Sequence, residues 1–301
     1  MAVPANDPLA VGPHHFEVDG VVQRYHVHGA GPVCIAHSGG PGILWEYLRM
    51  PALEQHLTVV YPEPVGSGAS GRLPTHPHGY TRSRYSHFLE VLVDHLGVPQ
   101  VHLLGHSHGG FVVQYYALNH PEKIAGVILY DSAPLNGPAH DAETRHRFEQ
   151  FTARNADRPE LDAILETFRA RSERSTDEHA TAFARGMFPV YFADYWSREK
   201  EFAPLRSSVD VTRISGLDEN QEWQSFDDRE SLNSLSAPTL VVVGRHDFIC
   251  GVRWAQELHE SIPDSELLIL ESSGHFGHLE ETERFTQAVA GFVAATVPAS
   301  A

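Results

Sequence analysis

The chain has 301 residues, of which 42% are hydrophobic and 20% charged. This ordinary globular composition excludes a wholly disordered chain. The formal net charge at pH 7 is −17, from 22 Lys and Arg against 39 Asp and Glu, which argues against nucleic-acid binding and against an acidic membrane surface. The 21 histidines ordinarily titrate at about pH 6.5. We therefore expect the net charge to depend strongly on pH.

No targeting or membrane segment is predicted. Residues 1–8 have neither a basic start nor an apolar run. The uncharged stretch 25–45 is too rich in Gly, Pro and His to span a membrane. Two cysteines, Cys34 and Cys250, cannot form a disulfide framework for a chain of this size. We expect a cytoplasmic protein.

Short apolar runs alternate with helical patterns along the chain. The first expected element is an antiparallel hairpin with strands 16–22 and 23–28 around Asp19 and Gly20. Amphipathic helical faces at 89–96 and 285–293 lie between or after the later runs. Because parallel strands need crossover helices, this order predicts a mostly parallel sheet flanked by helices. The runs that predict buried strands are 33–36, 57–61, 101–104, 127–130, 240–243 and 267–270.

The alternation stops between about residues 134 and 235, where the chain carries charged helical stretches and no convincing strand. We therefore expect a core of residues 1–134 and 235–301 with a helical cap inserted at 135–234, ending in a loop-like segment at 216–221. Ligands bind at the carboxyl ends of parallel strands, so such an insertion is well placed to form a lid. A helical decoration that forms no lid is the alternative.

The segment 105–110, Gly-His-Ser-His-Gly-Gly, follows one predicted strand and precedes a predicted helix at 111–119. Small residues two positions before and after a serine allow the sharp strand-to-helix turn of a nucleophile elbow, which exposes the serine hydroxyl at the edge of the sheet. Ser107 is therefore the predicted nucleophile.

A serine nucleophile needs a general base and an acid that orients it. Asp247 and His275 each follow a predicted strand, in the order Ser, Asp, His that is associated with α/β-hydrolases. In this interpretation neutral His275 accepts the Ser107 proton and Asp247 fixes the imidazole. Asp131, which ends another strand, is the rival acid. Activity is expected to fall below roughly pH 6–7, where an ordinary imidazole becomes charged.

An oxyanion intermediate needs backbone N–H donors close to the serine. The glycine-rich turn 37–42 follows the strand at 33–36, and Gly40 and His108 are the predicted donors, with Gly39 beside the substrate. A tight turn without this role is the alternative. The His76-Pro77-His78 segment has no accompanying ligand set, so we expect neither a metal nor a cofactor.

These motifs resemble those of the prolyl aminopeptidase branch of the α/β-hydrolases. That branch has a His-Gly-Gly-Pro-Gly oxyanion turn and an Asp-x-x-Gly-x-Gly-x-Ser loop, which correspond here to Ser-Gly-Gly-Pro-Gly at 38–42 and to Glu-Pro-Val-Gly-Ser-Gly-Ala-Ser at 63–70. The resemblance implies the α/β-hydrolase fold with an inserted helical cap. It also implies that Ser107, Asp247 and His275 form the catalytic triad.

The resemblance further implies that cap glutamates hold the free amino group of the substrate. Glu219 looks similar to one of them, and Glu222 is a less suitable stand-in. Some members have a second acid directly after the triad aspartate, where this chain has Phe248. The cap also has an aromatic cluster, of which Tyr191 and Trp196 are the predicted substrate contacts; simple packing is the alternative. The cluster comprises Phe188, Tyr191, Phe192, Tyr195 and Trp196.

The first functional hypothesis is a serine hydrolase that cleaves an amide or ester through an acyl-enzyme, most like a prolyl aminopeptidase acting on a short peptide or small molecule. The alternative is an esterase or lactonase for a bulky apolar molecule. A non-catalytic binding protein on the same fold is a third hypothesis, and acyl transfer to an acceptor other than water is left open. Aspartate-nucleophile chemistry is disfavoured because the nucleophile position holds Ser107.

Overall fold

The computed structural model describes residues 7–173 and 175–297. Residues 1–6 and 298–301 of the predicted core lie outside this range. Position 174 of the predicted cap lies outside it as well. Residues 1–6 are most of the segment 1–8, in which no targeting signal is predicted.

Eight strands form one sheet in the order β1-β2-β4-β3-β5-β6-β7-β8. β1 pairs with β2 and β2 with β4 in antiparallel fashion, and all the other pairs are parallel. The predicted mostly parallel sheet is therefore confirmed. The strands are β1 Gly12–Val18, β2 Val21–Gly29, β3 Val33–His37, β4 Thr58–Glu63, β5 Val101–His106, β6 Ile124–Tyr130, β7 Thr239–Gly244 and β8 Ser265–Leu270.

The N-terminal hairpin exists, but its predicted strand limits are wrong. Asp19 and Gly20 have φ of +52° and +77°, which places them at the two central positions of a tight hairpin turn. Both strands must stop at this turn, and Val18 pairs directly with Val21. The first strand consequently lies earlier in the chain than predicted, starting at Gly12.

Nine helices are present in the described part of the chain. α1 begins after Thr81, whose hydroxyl accepts a hydrogen bond from the Arg84 N–H, and ends at Gly97 in the left-handed conformation. No described helix combines the length and apolar character needed to cross a bilayer. The helices are α1 Arg82–Leu96, α2 His108–Asn119, α3 Pro138–Arg154, α4 Leu161–Arg169, α5 Asp177–Met187, α6 Glu199–Ser208, α7 Val252–Ser261, α8 Gly277–Glu280 and α9 Thr282–Thr296.

The sheet buries apolar side chains on both faces. Leu89 of α1, Val113 of α2 and Leu258 of α7 belong to one core cluster, whereas Val289 of α9 belongs to the other. Strands such as β5 and β6 are buried along their whole length, as parallel strands between two helical layers must be. The result is a rigid sheet whose carboxyl edge carries the loops of interest.

The chain between β6 and β7 contains α3 to α6 and then returns to the core as a loop. In that loop Val211 pairs with Ile43, and Asp227 pairs with Leu135. The helices enclose a small apolar cluster of their own, which includes Phe248 from the loop after β7. The insertion therefore packs against the loop that carries Asp247. The division into core and cap at 134 and 235 stays a prediction.

Candidate active site

Ser107 occupies a sharp turn between β5 and α2. Its φ of 56° and ψ of −122° are unusual for a residue with a side chain. The Ser107 N–H donates to the carbonyl oxygen of Tyr130 in β6 at 2.9 Å. This hydrogen bond holds the strained residue at the carboxyl edge of the sheet, where the elbow motif places its nucleophile.

The flanking glycines are required by close backbone approach. A Cβ atom on Gly105 would lie 2.4 Å from the carbonyl oxygen of Gly109, and one on Gly109 would lie 2.2 Å from the carbonyl oxygen of His37. Neither position has room for a methyl group. The Gly-x-Ser-x-Gly pattern is thus explained by helix α2 packing directly on β3 and β5.

Asp247 and His275 form a buried pair. The Nδ1 atom of His275 lies 2.9 Å from Oδ2 of Asp247, and the side chains are 2% and 0% exposed. The other oxygen of Asp247 accepts the Ile249 N–H at 2.8 Å, and the His275 N–H donates to the Tyr191 carbonyl oxygen at 2.6 Å. The carboxylate and a backbone carbonyl of the segment between β6 and β7 therefore both hold the position of His275.

Ser107 and His275 border the same cavity. Within residues 7–173 and 175–297 no hydrogen bond joins the Ser107 hydroxyl to the imidazole. Such contacts are often long in unliganded enzymes and shorten when substrate binds. The structure thus brings all three predicted triad residues to one site, with the Asp–His contact formed.

Asp131, the rival acid, lies beside this pair. It is fully buried, has a φ of 46°, and accepts the Gly244 N–H at 2.8 Å through Oδ1. Its carboxyl group also contacts that of Asp247. Burial and the neighbouring charge of Asp247 hold the pKa of Asp131 well above its ordinary value. Asp247 is nevertheless the carboxylate that is hydrogen-bonded to Nδ1 of His275.

The glycine-rich turn is fixed by two residues that the sequence analysis did not single out for this role. The Gly39 N–H donates to the Tyr47 hydroxyl oxygen at 2.6 Å, and this hydroxyl lies 2.7 Å from Nδ1 of His106. Since Nε2 of His106 lies 2.9 Å from the His275 carbonyl oxygen, which can only accept, Nε2 carries the proton. Tyr47 therefore donates to Nδ1 of His106, and the chain of hydrogen bonds links the turn to His275.

Gly39 and Gly40 both lie close to the nucleophile. A Cβ on Gly39 would be 2.9 Å from Cβ of Ser107, and Gly40 lines the same cavity. Because the Gly39 N–H is bonded to Tyr47, the Gly40 N–H is the turn's candidate oxyanion donor. His108 begins helix α2, and its side chain lines a separate groove.

Burial removes part of the histidine titration that composition suggests. It lowers the pKa of His37 and His278 to about 4 and that of His108 to about 3, because desolvation penalises the charged imidazole. These residues are neutral at pH 6.5. The histidines whose pKa is lowered are His28, His37, His76, His95, His102, His106, His108, His140, His246 and His278.

One cluster among the described residues has the composition of a metal site: His106, Asp131 and His275 place ligand atoms within 4.8 Å of one another. Both ring nitrogens of His106 are already engaged in hydrogen bonds, as is Nδ1 of His275. A metal ion would have to break these bonds. These hydrogen bonds favour catalysis by the side chains themselves over the binding of a metal ion.

The cavity beside Ser107 is apolar. Its empty volume is about 560 Å³, including the solvent at its mouth. None of the described residues that line it is Asp, Glu, Lys or Arg. The predicted contacts Tyr191, Gly39 and Gly40 are among its lining residues, whereas Trp196 is not and instead packs near Phe151. The lining comprises Gly39, Gly40, Ile43, Tyr47, His106, Ser107, Ala184, Phe188, Tyr191, Val209, Ile249, His275 and Phe276.

The residues considered for binding a substrate amine lie elsewhere. Glu219 borders a different, polar groove and forms an ion pair with Arg84 at 2.7 Å. Glu222 is exposed and does not line this cavity. Phe248 is buried among aromatic rings, with its ring centroid 5.2 Å from that of Tyr191. The structure therefore does not bring Glu219 to Ser107.

Glu63, which stands where the related motif has an aspartate, organises its own loop. One carboxylate oxygen accepts the Ala69 N–H and the other lies 2.7 Å from Nε2 of His26. The side chain passes so close to Gly68 that a Cβ there would lie 2.2 Å from Oε2. This departure from the motif is thus accommodated within the loop, and Glu63 does not line the cavity beside Ser107.

Comparison with known proteins identifies the family. The model of the alpha/beta hydrolase fold family matches residues 31–282. A proline iminopeptidase of Heyndrickxia coagulans is 26% identical over 284 residues, covering 90% of this chain and 93% of the relative. A 2-hydroxymuconate semialdehyde hydrolase of Pseudomonas sp. (strain CF600) is 26% identical over 298 residues, covering 98% and 97%.

A solved structure gives the same fold. The enol-lactonase from Burkholderia xenovorans LB400 aligns with a TM-score of 0.71 at 22% identity, over 93% of this chain and 100% of that one. The resemblance inferred from the motifs is confirmed, with proline iminopeptidases among the relatives. The chain therefore belongs to the alpha/beta hydrolase fold family.

Proposed function

We propose that this protein is a serine hydrolase that cleaves a carboxylic ester of a neutral, apolar small molecule through an acyl-enzyme. The observation that carries the proposal is the uncharged, largely apolar cavity that lies directly against Ser107. Pockets of this kind bind apolar groups by desolvation and orient them with a few polar atoms.

The proposed chemistry uses the groups at the cavity's base. The Ser107 hydroxyl rotates toward His275, loses its proton to Nε2 and forms a bond to the ester carbonyl carbon. The Gly40 and His108 N–H groups stabilise the oxyanion. His275 then protonates the departing alkoxide, and water hydrolyses the acyl-enzyme by the same steps. Asp247 holds the imidazole throughout.

The same cavity disfavours a substrate with a free amino terminus. An ammonium group buried there would need a carboxylate or several hydrogen-bond acceptors to offset its lost hydration. Glu219 is held by Arg84 in another groove, and Phe248 offers no charge. The named relatives do not decide the substrate class, because a proline iminopeptidase and a 2-hydroxymuconate semialdehyde hydrolase are equally similar at 26% identity.

A substrate panel tests the proposal. Purified protein is assayed with p-nitrophenyl esters of increasing acyl length and with proline p-nitroanilide. We expect ester hydrolysis that improves with apolar chain length and no release from the anilide. Efficient release from the free-amine anilide, with loss of activity on its N-acetylated form, would instead favour the aminopeptidase hypothesis.

Covalent labelling tests whether the protein is an enzyme at all. A fluorophosphonate probe should label the wild type at Ser107 and leave Ser107→Ala unlabelled. Ser272→Ala, which removes an exposed serine hydroxyl, is the matched control and should label normally. Absence of labelling in the folded wild type would support the non-catalytic binding hypothesis.

A further inference from the structure

Two buried carboxyl groups meet beside the imidazole of His275. Asp131 follows β6 and Asp247 follows β7, and the two residues are 0% and 1% exposed. Their carboxyl groups are close enough to interact directly. Asp247 bonds Nδ1 of His275, and an oxygen of Asp131 lies within 4.8 Å of a ring nitrogen of the same histidine. The proposed triad therefore has two acids.

The surroundings cannot neutralise two negative charges. In the described ranges neither carboxyl group forms an ion pair with an Arg or Lys, and His275 is the ion-pair partner of Asp247. Two carboxylates in contact, buried and without a cation, would be very unfavourable. A single shared proton removes one of these charges.

The other ionisable groups around the pair do not change this conclusion. Four acids interact electrostatically with one or both carboxyl groups, and none of them can become a cation. They are Glu280, Tyr47, Tyr130 and Cys250. His106 faces the pair from β5, and His140 of α3 interacts with Asp247; burial lowers the pKa of both imidazoles and favours their neutral forms. Among the described residues, no Arg or Lys forms an ion pair with Asp131 or Asp247.

Hydrogen-bond donors indicate which carboxyl group carries the proton. Both oxygens of Asp247 accept hydrogen bonds from nitrogen atoms, those of Ile249 and His275, so each already has a donor. Asp131 accepts from Gly244 through Oδ1 only. Its Oδ2 atom is buried and faces no N–H or hydroxyl donor among the described residues. A proton on Oδ2 would complete this atom's bonding by donating to Asp247.

We propose that Asp131 is a positioning residue. Its protonated carboxyl group donates a hydrogen bond to Asp247 and holds that carboxylate against His275. When a substitution removes the charge of Asp247, Asp131 ionises and supplies the negative charge of the site. The kinetic part of this inference rests on the proposed serine hydrolysis. The protonation state itself does not, because it follows from the burial and contacts of the two carboxyl groups.

Infrared spectroscopy tests the protonation state without any substrate. A protonated carboxylic acid has a carbonyl stretch that a carboxylate lacks, so the wild type minus Asp131→Asn difference spectrum at pH 7 should contain this band. Asn keeps an acceptor for Gly244, supplies an N–H donor toward Asp247 and tolerates the left-handed backbone. Asp157→Asn, at an exposed cap position, is the matched control and should give no such band. Absence of the band from the Asp131 difference spectrum would overturn the proposal.

A pH titration of the ¹³C-labelled aspartate carboxyl resonances needs no variant. It should contain one aspartate that stays protonated through the range in which the exposed ones ionise. A titration in which every aspartate ionises near pH 4 would also overturn the proposal.

A double-mutant cycle tests the positioning role on the best ester. Asp131→Asn should keep kcat/KM within about 3-fold of the wild type, whereas Asp131→Ala should lower kcat about 10-fold with little change in KM. Asp247→Asn should retain activity that rises with pH as Asp131 ionises. The double variant Asp131→Asn/Asp247→Asn should lose about 100-fold more than the product of the single effects.

Independent effects of the two Asn substitutions, or an Asp131→Asn variant as damaged in kcat as Asp131→Ala, would refute the positioning role. Urea unfolding curves of each variant separate loss of fold from loss of rate. If the infrared band is present and the wild type hydrolyses no ester, the failure lies with the proposed function and not with the carboxyl pair.

Discussion

The Tyr47 hydroxyl is expected to hold the oxyanion turn in place, and Tyr47→Phe removes only this oxygen. The hydroxyl accepts the Gly39 N–H at 2.6 Å and donates to Nδ1 of His106 at 2.7 Å. Tyr47 is 5% exposed and His106 is 1% exposed, so water does not readily replace the lost partner. The substitution therefore leaves one buried donor and one buried acceptor unpaired.

The magnitude follows from these two orphaned groups. Each buried polar group left without a partner costs about 1–3 kcal/mol. Part of this loss is offset because the phenol oxygen itself no longer has to be desolvated. We expect Tyr47→Phe to lower the free energy of unfolding by about 2–4 kcal/mol. Since the freed turn carries Gly40, kcat on an ester should fall by about 10-fold, less than the about 100-fold or more for losing an oxyanion donor outright.

Tyr85→Phe is the matched control. The Tyr85 side chain is also buried, but its hydroxyl has no hydrogen-bond partner in the part of the chain that the structure describes. Removing that oxygen should be neutral or stabilising. Urea unfolding followed by circular dichroism gives both free energies, and the ester assay gives kcat. The reasoning is refuted if Tyr47→Phe is no less stable than Tyr85→Phe.

Four further substitutions are expected to differ in the sign, size or pH dependence of their effects. Gly109→Ala places a Cβ 2.2 Å from a backbone oxygen and should lower the free energy of unfolding by about 3 kcal/mol. Gly291→Ala in α9 has open space around its Cβ and should raise the free energy of unfolding by about 0.5–1 kcal/mol in the same urea assay. Burial raises the pKa of Glu280 from 4.5 to about 7. The native state therefore retains a proton that the unfolded chain releases between these pH values, and the contribution of Glu280 to stability should fall by about 3 kcal/mol as pH rises from 4.5 to above 7. The unfolding free energy of the wild type minus that of Glu280→Gln should show this fall, and a difference that does not change with pH would contradict the assignment. Glu219→Gln breaks an exposed ion pair with Arg84, so it should change the free energy of unfolding by about 1 kcal/mol or less and leave ester kcat/KM nearly unchanged. A selective loss of activity on amine substrates would instead place Glu219 at the substrate.

The local pattern of the chain was enough to predict the sheet. Runs of aliphatic residues at 101–104 and 127–130 lie within β5 and β6, because a strand buried on both faces must be apolar along its length. The error at the N-terminal hairpin has a local cause as well. The positive φ values of Asp19 and Gly20 fix the turn, whereas apolar alternation alone leaves the strand ends open by several residues.

The candidate site was predictable only where its residues follow strand ends. Ser107, Asp247 and His275 each leave the carboxyl edge of a parallel sheet, so their order along the chain was sufficient to place them together. Tyr47 gave no such signal, because it lies in a short 3₁₀ segment and reaches a partner 59 positions away. Glu219 shows the converse: its local sequence resembled a substrate-binding motif, but Arg84, 135 positions earlier, is its partner.

The sequence by itself determined the alternation of strands and helices, the nucleophile turn and the order of the proposed triad, since each depends on residues close together in the chain or on strand ends that any parallel sheet aligns. Only the tertiary structure decided that Asp131 touches Asp247, that Arg84 binds Glu219 and that the cavity beside Ser107 carries no charge. These features depend on side-chain contacts between distant segments, where differences of an ångström determine which carboxyl group meets a cation and which must keep its proton.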